Sequence, residues 1–498
     1  MTTRNVDIVV LGSGFGGSLL SLILNQLDYD VVLIDKGTHP RFAIGESSTP
    51  LADFVLSDLA KRYDLPEVLP LASYGTWLER HPELNCGLKR GFSYFHHRAG
   101  EPFSTDDQNA NQLLVAASSN DSDSDTHWYR ADVDQFLFEL AREKGVECLD
   151  NTHIDAIRGG DARGRKGNRW QVELQGTQAV LHPRYIIDAS GAARVFLNGH
   201  GYTDLSHQLH TRTQATYGHF ENVRPFGCIL SESGIETARH PYACDNAALH
   251  HVGENGWMWN LRFRDGTVSA GVVTKVDQAN QTAESVWQDW LAAYPSIAAQ
   301  FADAVPATPL IKTRRLQRLA NSAAGTGWFA LPNTVGFIDP LHSTGIAHTL
   351  SAVERIAALF EADGSPKPDS YASAVPDELR FVDQIVSGCV DSFGVPELFD
   401  AWSMVYFAAA HSCEMRRVRG ETCFTGGFLG ANIDDLRQRV DHICREFQRE
   451  KQEPRAFRAF RAFVAEAIAP FNEADLFDPA EPNMYANTAP PRNLGRSD

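Results

Sequence analysis

The sequence lacks most of what would place it outside the ordinary globular enzymes. No apolar run approaches the ~20 residues needed to cross a bilayer, so no membrane-spanning helix is expected. Basic residues are in deficit: 45 Lys and Arg stand against 63 Asp and Glu, for a formal charge of -18. An acidic surface repels phosphate backbones and anionic lipid, which excludes nucleic acid and membrane as the main partner. Cysteine is sparse, with 8 in 498 residues, and no two form a Cys-x-x-Cys pair. Neither a zinc site nor a redox dithiol is signalled, and no metal is expected. The pairs His96-His97 and His250-His251 do not change this, because neighbours on a strand point to opposite faces and chelate poorly. The N-terminus carries no secretory pattern: glycines interrupt its apolar run and no small-residue cleavage site follows. A reduced, cytoplasmic setting is expected. Internal repeats and low-complexity segments are also missing.

Enough apolar surface is present, 43 % of residues, to bury a large core. The length suits two or three domains of roughly 150 residues. Residues 6–11 form a short apolar run that reads as a buried strand. A helix follows over 18–27, and a second buried strand over 30–35. The three fit in about thirty residues, the size of one βαβ unit. Between the first strand and the helix lies Gly12-Ser13-Gly14-Phe15-Gly16-Gly17, a Gly-x-Gly-x-x-Gly motif, and an acid, Asp35, ends the second strand. The first glycine permits a tight turn, the second lets backbone approach a diphosphate, and the third lets helix pack on strand. The helix start favours the anion through its free N–H groups and dipole. Asp35, with Lys36 beside it, is placed to meet a ribose. A strand ending in Asp188-Ala189-Ser190-Gly191 suggests that the chain returns to the same domain about 170 residues later.

Further along, 51–63 reads as a helix and 64–110 as an aromatic-rich excursion. Residues 117–126, rich in Ser, Asp and Asn, read as an exposed loop. An amphipathic helix spans 131–145, with Val133, Phe136, Leu137 and Leu140 on one side. Residues 210–275 alternate aromatic and polar residues, the period-two pattern of an antiparallel sheet with one buried face. A helix is expected from about 345 to 362. Beyond 370 the chain reads as mostly helical, and its last twenty residues as a tail or surface strap. The expected class is α/β. A FAD-binding Rossmann-like domain of the hydroxylase type would span 1–205 and 325–365, with a substrate-side excursion at about 64–115. An antiparallel-sheet substrate domain would span 206–324, and a helical C-terminal region 366–498.

Three further blocks are distinctive: Gly45-Glu46-Ser47-Ser48-Thr49-Pro50; Trp257-Met258-Trp259-Asn260-Leu261-Arg262; and Gly336-Phe337-Ile338-Asp339-Pro340-Leu341-His342-Ser343-Thr344-Gly345-Ile346. With the dinucleotide motif, and in this order, they resemble the flavin-dependent halogenases of the phenol or pyrrole type, within the FAD-dependent hydroxylase-like superfamily, over about residues 5–360. The resemblance implies FAD, reduced by a separate flavin reductase, together with oxygen and chloride or bromide. Hypohalous acid made beside the flavin would pass through the interior to a lysine that delivers halogen to an electron-rich ring. That ring would be free or tethered to a carrier protein.

By the same resemblance, Lys89 is the catalytic lysine, and its neighbours Leu88, Phe92, Tyr94 and Phe95 offer the burial that lowers an amine's pKa. Cofactor contacts fall to Gly12, Gly14, Gly16, Gly17, Asp35, Lys36, Glu46, Ser47, Ser48, Arg130, Asp188, Asp339, Gly345 and Ile346, and halide to Thr344 and Gly345. Trp257, Trp259 and His342 would wall flavin from substrate. Two departures refine the reading. His342 stands where tryptophan halogenases carry a glutamate, which favours a phenol or pyrrole over free tryptophan. Leu331-Pro332-Asn333-Thr334 replaces the Gly-Asp of many FAD hydroxylases. The alternatives are a FAD-dependent monooxygenase or dehydrogenase on the same scaffold, or a non-catalytic flavoprotein that binds a partner. A halide requirement separates the first alternative from a halogenase, and the need for the Lys89 amine separates the second.

Overall fold

The computed structural model describes residues 2–159, 169–176, 179–200, 202–276, 281–363, 368–421, 426–450, 457–480 and 482–490. Cys423 and the last eight residues of the expected tail lie outside the described residues. The N-terminal βαβ unit comprises β1 (Thr2–Leu11), α1 (Phe15–Gln26) and β2 (Val31–Ile34). All four residues of β2 and most of α1 are buried, as expected where helices cover both faces of a parallel sheet. Next come α2 (Pro50–Arg62), α3 (Tyr74–Arg80), β3 (Cys86–Lys89), β4 (Gly91–His96), β5 (Gln112–Ala116), β6 (Asp125–Trp128) and α4 (Arg130–Glu143). They are followed by β7 (Glu147–Leu149), the hairpin β8 (Ile154–Gly159) and β9 (Trp170–Leu174), and β10 (Ala179–Asp188). The first sheet runs in parallel from residues 328–330 through β10, β1 and β2 to β7. Its crossovers bring the ends of β1 and β10 together, Leu11 opposite Asp188.

The second sheet is built on β11 (Thr213–Glu221), β12 (Ala248–Val252), β13 (Gly256–Arg262) and β14 (Val268–Lys275), paired antiparallel in the order β11-β14-β13-β12. It then departs from the purely antiparallel expectation. β12 pairs in parallel with β4, β4 pairs with β5, and Met484–Tyr485 adds to β5 in parallel. The excursion therefore supplies two strands to the second sheet, and part of the expected tail supplies its edge. Period-two alternation reports a half-buried strand but not which neighbour it pairs with. A smaller ladder joins β3 to β6, with Lys89 opposite Asp125. Residues 125–128, partly read as exposed loop, are thus a fully buried strand.

Helices α5 (Phe226–Glu232), α6 (Ala283–Ala293) and α7 (Pro295–Gln300) pack on the second sheet, the last two separated at Pro295. Short α8 (Pro332–Val335) leads to α9 (Thr344–Asp363), which lies on α1 and α2. Helices α10 (Asp369–Asp391) and α11 (Pro396–Val418) follow. α11 is buried on nearly every face from Leu398 to Glu414, packed against α10, α2 and the helix Phe457–Ile468. A helix apolar all round belongs in the interior.

Candidate functional site

A cavity of about 510 Å³ opens between the ends of β1 and β10 and the second sheet. Gly12, Gly14, Gly16 and Gly17 line one end. Gly12 has φ +103°, and a Cβ there would lie 2.7 Å from the Ala189 carbonyl oxygen. A Cβ at Gly17 would lie 2.0 Å from the Gly12 oxygen. The two glycine-bearing blocks of the sequence are therefore in contact, and the crossover closes only without side chains at these positions.

Two arginine–carboxylate pairs flank the start of α1. Arg41 donates to both oxygens of Asp35, at 2.8 and 2.7 Å, while the Ser13 and Gly37 amides each donate to it at 2.8 Å. Burial opposes ionisation of Asp35, but Arg41 and the two amides outweigh it and bring the carboxyl down to about 2. Arg130 donates to both oxygens of Asp134 at 2.8 Å, and Asp134 also accepts the Phe15 amide at 3.1 Å. The remaining Arg130 nitrogen holds the Ile44 and Gly45 carbonyls. Asp35, Arg41, Arg130 and Asp134 all line the cavity. Bidentate pairing fixes both guanidinium groups in place before any ligand arrives.

Three expected cofactor contacts stand apart from the lining. Lys36 is exposed. Asp188 is fully buried, and its carboxylate accepts the Ser190 amide and hydroxyl and the Phe196 and Leu197 amides. It organises the strand-end turn, whereas its neighbours Ala189, Ser190 and Gly191 face the cavity. Ser48 is buried, with its hydroxyl donating to Asp53 at 2.7 Å. Glu46 and Ser47 do line the cavity. Glu46 Oε1 is 2.9 Å from His219 Nε2, and its Oε2 is buried with no protein partner.

Ser343, Thr344, Gly345 and Ile346 line the cavity where α9 begins. Ser343 adopts φ 53°, and its hydroxyl donates to Ser47 Oγ at 3.0 Å. A Cβ at Gly345 would meet no heavy atom within 4 Å, so this helix start faces open space. Asp339, also lining, accepts the Thr213 hydroxyl at 2.6 Å, and burial pushes its carboxyl up to about 7.

Trp257 and Trp259 share one face of β13 and line the cavity with Leu261, their ring centroids 5.9 Å apart. His250, also lining, has its ring 5.0 Å from that of Trp257, and Phe92, outside the lining, lies 5.9 Å from His250. His342 does not line the cavity. It is 1 % exposed, stacked on Tyr406 at 4.2 Å, with Tyr94 Oη 3.4 Å from Nδ1. Burial brings its imidazole down to about 3, so it is neutral at physiological pH.

Lys89 is completely buried. Its amine donates to the Ser48 carbonyl and sits 4.2 Å above the Phe92 ring. Burial lowers its pKa to about 8, against the opposing pull of Asp125, Asp53 and Glu414. Lys89 does not line the cavity, but adjacent residues connect it to the α9 start: Ser47 holds Ser343, and Ser48 holds Lys89. Sequence reasoning missed Arg41, the carboxyl groups around Lys89, and Tyr406. Arg41 sits in an aperiodic loop six residues after Asp35, and that spacing was the one available signal. Glu414 and Tyr406 lie on α11, where no motif pointed to them.

A family model described as tryptophan halogenase matches residues 107–382, more than half of the chain. The monodechloroaminopyrrolnitrin halogenase PrnC of Pseudomonas fluorescens is 27 % identical over 449 residues, covering 87 % of this chain and 76 % of that one. The tetracycline 7-halogenase of Kitasatospora aureofaciens is 24 % identical, covering 82 % and 74 %. A crystal structure of halogenase PltM with phloroglucinol and FAD superposes with a TM-score of 0.82 at 23 % identity, covering 97 % of this chain and 99 % of that one. The shared fold therefore extends past residue 360 into the C-terminal helices, where the sequence motifs stopped. The chain belongs to the flavin-dependent halogenases, in the tryptophan halogenase family.

Proposed function

We propose that this enzyme uses reduced FAD, oxygen and chloride or bromide to halogenate a phenol or pyrrole, with Lys89 carrying the halogen to the ring. The observation that carries the reading is the burial of the Lys89 amine, with its affinity for protons lowered, on the carbonyl of Ser48, one residue along the backbone from the contact between Ser47 and Ser343. The cavity residues fit a flavin dinucleotide. Gly12, Gly14 and Gly17 let backbone approach a diphosphate beside Arg130, and the partnerless Glu46 oxygen offers an acceptor. Reduced flavin with oxygen supplies the two-electron oxidant that converts halide to hypohalous acid. One Gly-x-Gly-x-x-Gly motif in the sequence fits a flavin reduced by a separate reductase.

Thr344 and Gly345 hold the halide at the open start of α9, where backbone N–H groups favour an anion. Trp257 and Trp259 keep the ring to be halogenated off the cofactor. Neutral Lys89 attacks hypohalous acid and gives an N-halogen bond and water. The ring then takes the halogen and the amine is restored. His342, neutral and stacked on Tyr406 with Tyr94 in reach, lies behind the cavity and puts no carboxylate where a charged indole intermediate would need one, which suits a phenol or pyrrole. The relatives named for pyrrolnitrin and tetracycline chemistry, and the PltM complex with phloroglucinol, support that class.

The test is turnover of a panel of phenols and pyrroles with FAD, a flavin reductase, oxygen and either halide, read by mass spectrometry. Halogenated product that requires halide is expected, and Lys89→Ala is expected to keep FAD and lose it. Oxygenated product with no halide requirement, or full activity in Lys89→Ala, overturns the reading.

A further inference from the structure

The Lys89 amine is enclosed by carboxyl groups from three elements. β3 and β6 place Asp125 directly across from Lys89, and Asp125 is 1 % exposed. Ser48, whose carbonyl takes the amine, donates its hydroxyl to Asp53 in the first turn of α2. Glu414 of α11, also buried, accepts from the Leu51 backbone in the same turn. The other titratable groups that act on Lys89 or respond to it are His127 and His250, which burial keeps neutral. Bulk water does not reach the amine.

Three ionised carboxylates around one ammonium would leave two uncompensated charges in a dry interior, which proteins avoid by retaining protons. Glu414 is the group that retains one: burial first, then Asp125, pushes its carboxyl far above the usual range. Asp125 is the carboxyl group in register with the amine. When the amine reacts it must shed a proton, and the neighbouring imidazoles bind protons too weakly to take it.

We propose that Asp125 is the proton partner and positioning residue of Lys89, pairing with its ammonium and accepting its proton as the nitrogen takes halogen. Ammonium, carboxylate and hypohalous acid give the N-halogenated lysine, the protonated Asp125 and water. Transfer of halogen to the ring then sends the ring proton to the nitrogen, and the Asp125 proton restores the ammonium. This rests on Lys89 being the halogen carrier, as proposed above.

The test is Asp125→Asn in the full-length enzyme, with Asp125→Ser as a second uncharged variant should the first not fold. Loss of the facing anion is expected to move the acid limb of the kcat/KM profile about one unit lower, a tenfold change in proton affinity, and to lower the plateau at least tenfold. A readout that needs neither turnover nor reagent access is the pH midpoint of the Lys89 Cε resonance in 13C-lysine-labelled enzyme, assigned by its absence in Lys89→Ala, which should fall by the same amount. A merely structural role would lower the plateau and leave both midpoints in place, and that result overturns the proposal. Activity in Lys89→Ala would instead overturn the reading on which it rests.

Discussion

Replacing Gly345 by alanine separates ligand binding from folding. Gly345 is the second residue of α9, its φ is not in the left-handed region, and a Cβ there meets no heavy atom within 4 Å. The methyl therefore costs no packing. Alanine exceeds glycine in helix propensity by about 1 kcal/mol in a helix interior and by less in a first turn. Stability should be unchanged or raised by under about 1 kcal/mol, a melting shift of at most about 2 °C in a chain this long. The space the methyl enters is the cavity beside Thr344, so FAD or halide binding should weaken, by about tenfold if the lost contact is worth ~1.4 kcal/mol.

Gly17→Ala provides the contrast. Its Cβ would lie 2.0 Å from the Gly12 carbonyl oxygen, backbone that no rotamer change can move. Over an ångström must come from shifting α1, at about 1–3 kcal/mol or more, so stability and FAD affinity should fall together. Thermal melts, FAD titration by fluorescence quenching and halide titration of turnover measure all three quantities. If Gly345→Ala melts more than about 5 °C below the parent, or leaves FAD and halide constants within about twofold, the open helix start does not face the ligands and the placement of halide there is wrong.

Other consequences are equally direct. Burial brings His127 and His342 down to about 3 and His251 to about 4, whereas each returns to about 6.5 on unfolding. The unfolded chain thus binds up to three more protons below pH 6.5. Stability should be full above that pH and should fall with acid at up to ~4 kcal/mol per pH unit between about 6 and 4. Denaturant titrations at stepped pH should show this, with a shallower slope in His342→Gln; a flat profile from pH 7 to 5 would contradict neutral burial. Arg130→Gln leaves Asp134 buried without its cation, so we expect a loss of about 3 kcal/mol in stability and weaker FAD binding by titration. Unaltered FAD affinity in that variant would remove Arg130 from the cofactor site.

The parts of the molecule readable in advance were those whose signals are local. Gly12 and Gly17 mark a turn that admits no Cβ, and the flanking apolar runs mark buried strands. Trp257 and Trp259 alternate, so a strand had to present them on one face. What escaped was set by contacts distant in sequence. The surroundings of Asp125 resembled an exposed polar loop, because burial there comes from β3 and from the helices above it. Asp188 looked like a ligand residue, yet its oxygens are consumed by four donors of its own turn. Glu414 had no periodic signature, since α11 is buried on nearly every face and its acids, Glu397, Asp400 and Glu414, form no pattern that points to the Lys89 amine.

Every residue lining the cavity precedes position 350, whereas Tyr406 and Glu414, which complete the surroundings of His342 and Lys89, come later. Translation at roughly 5–20 residues per second separates the two by about 3–13 s. On the ribosome the residues of the cavity lining are therefore made before those that shut Lys89 away from water. A polypeptide truncated in that interval would carry the whole lining and leave Lys89 open to solvent.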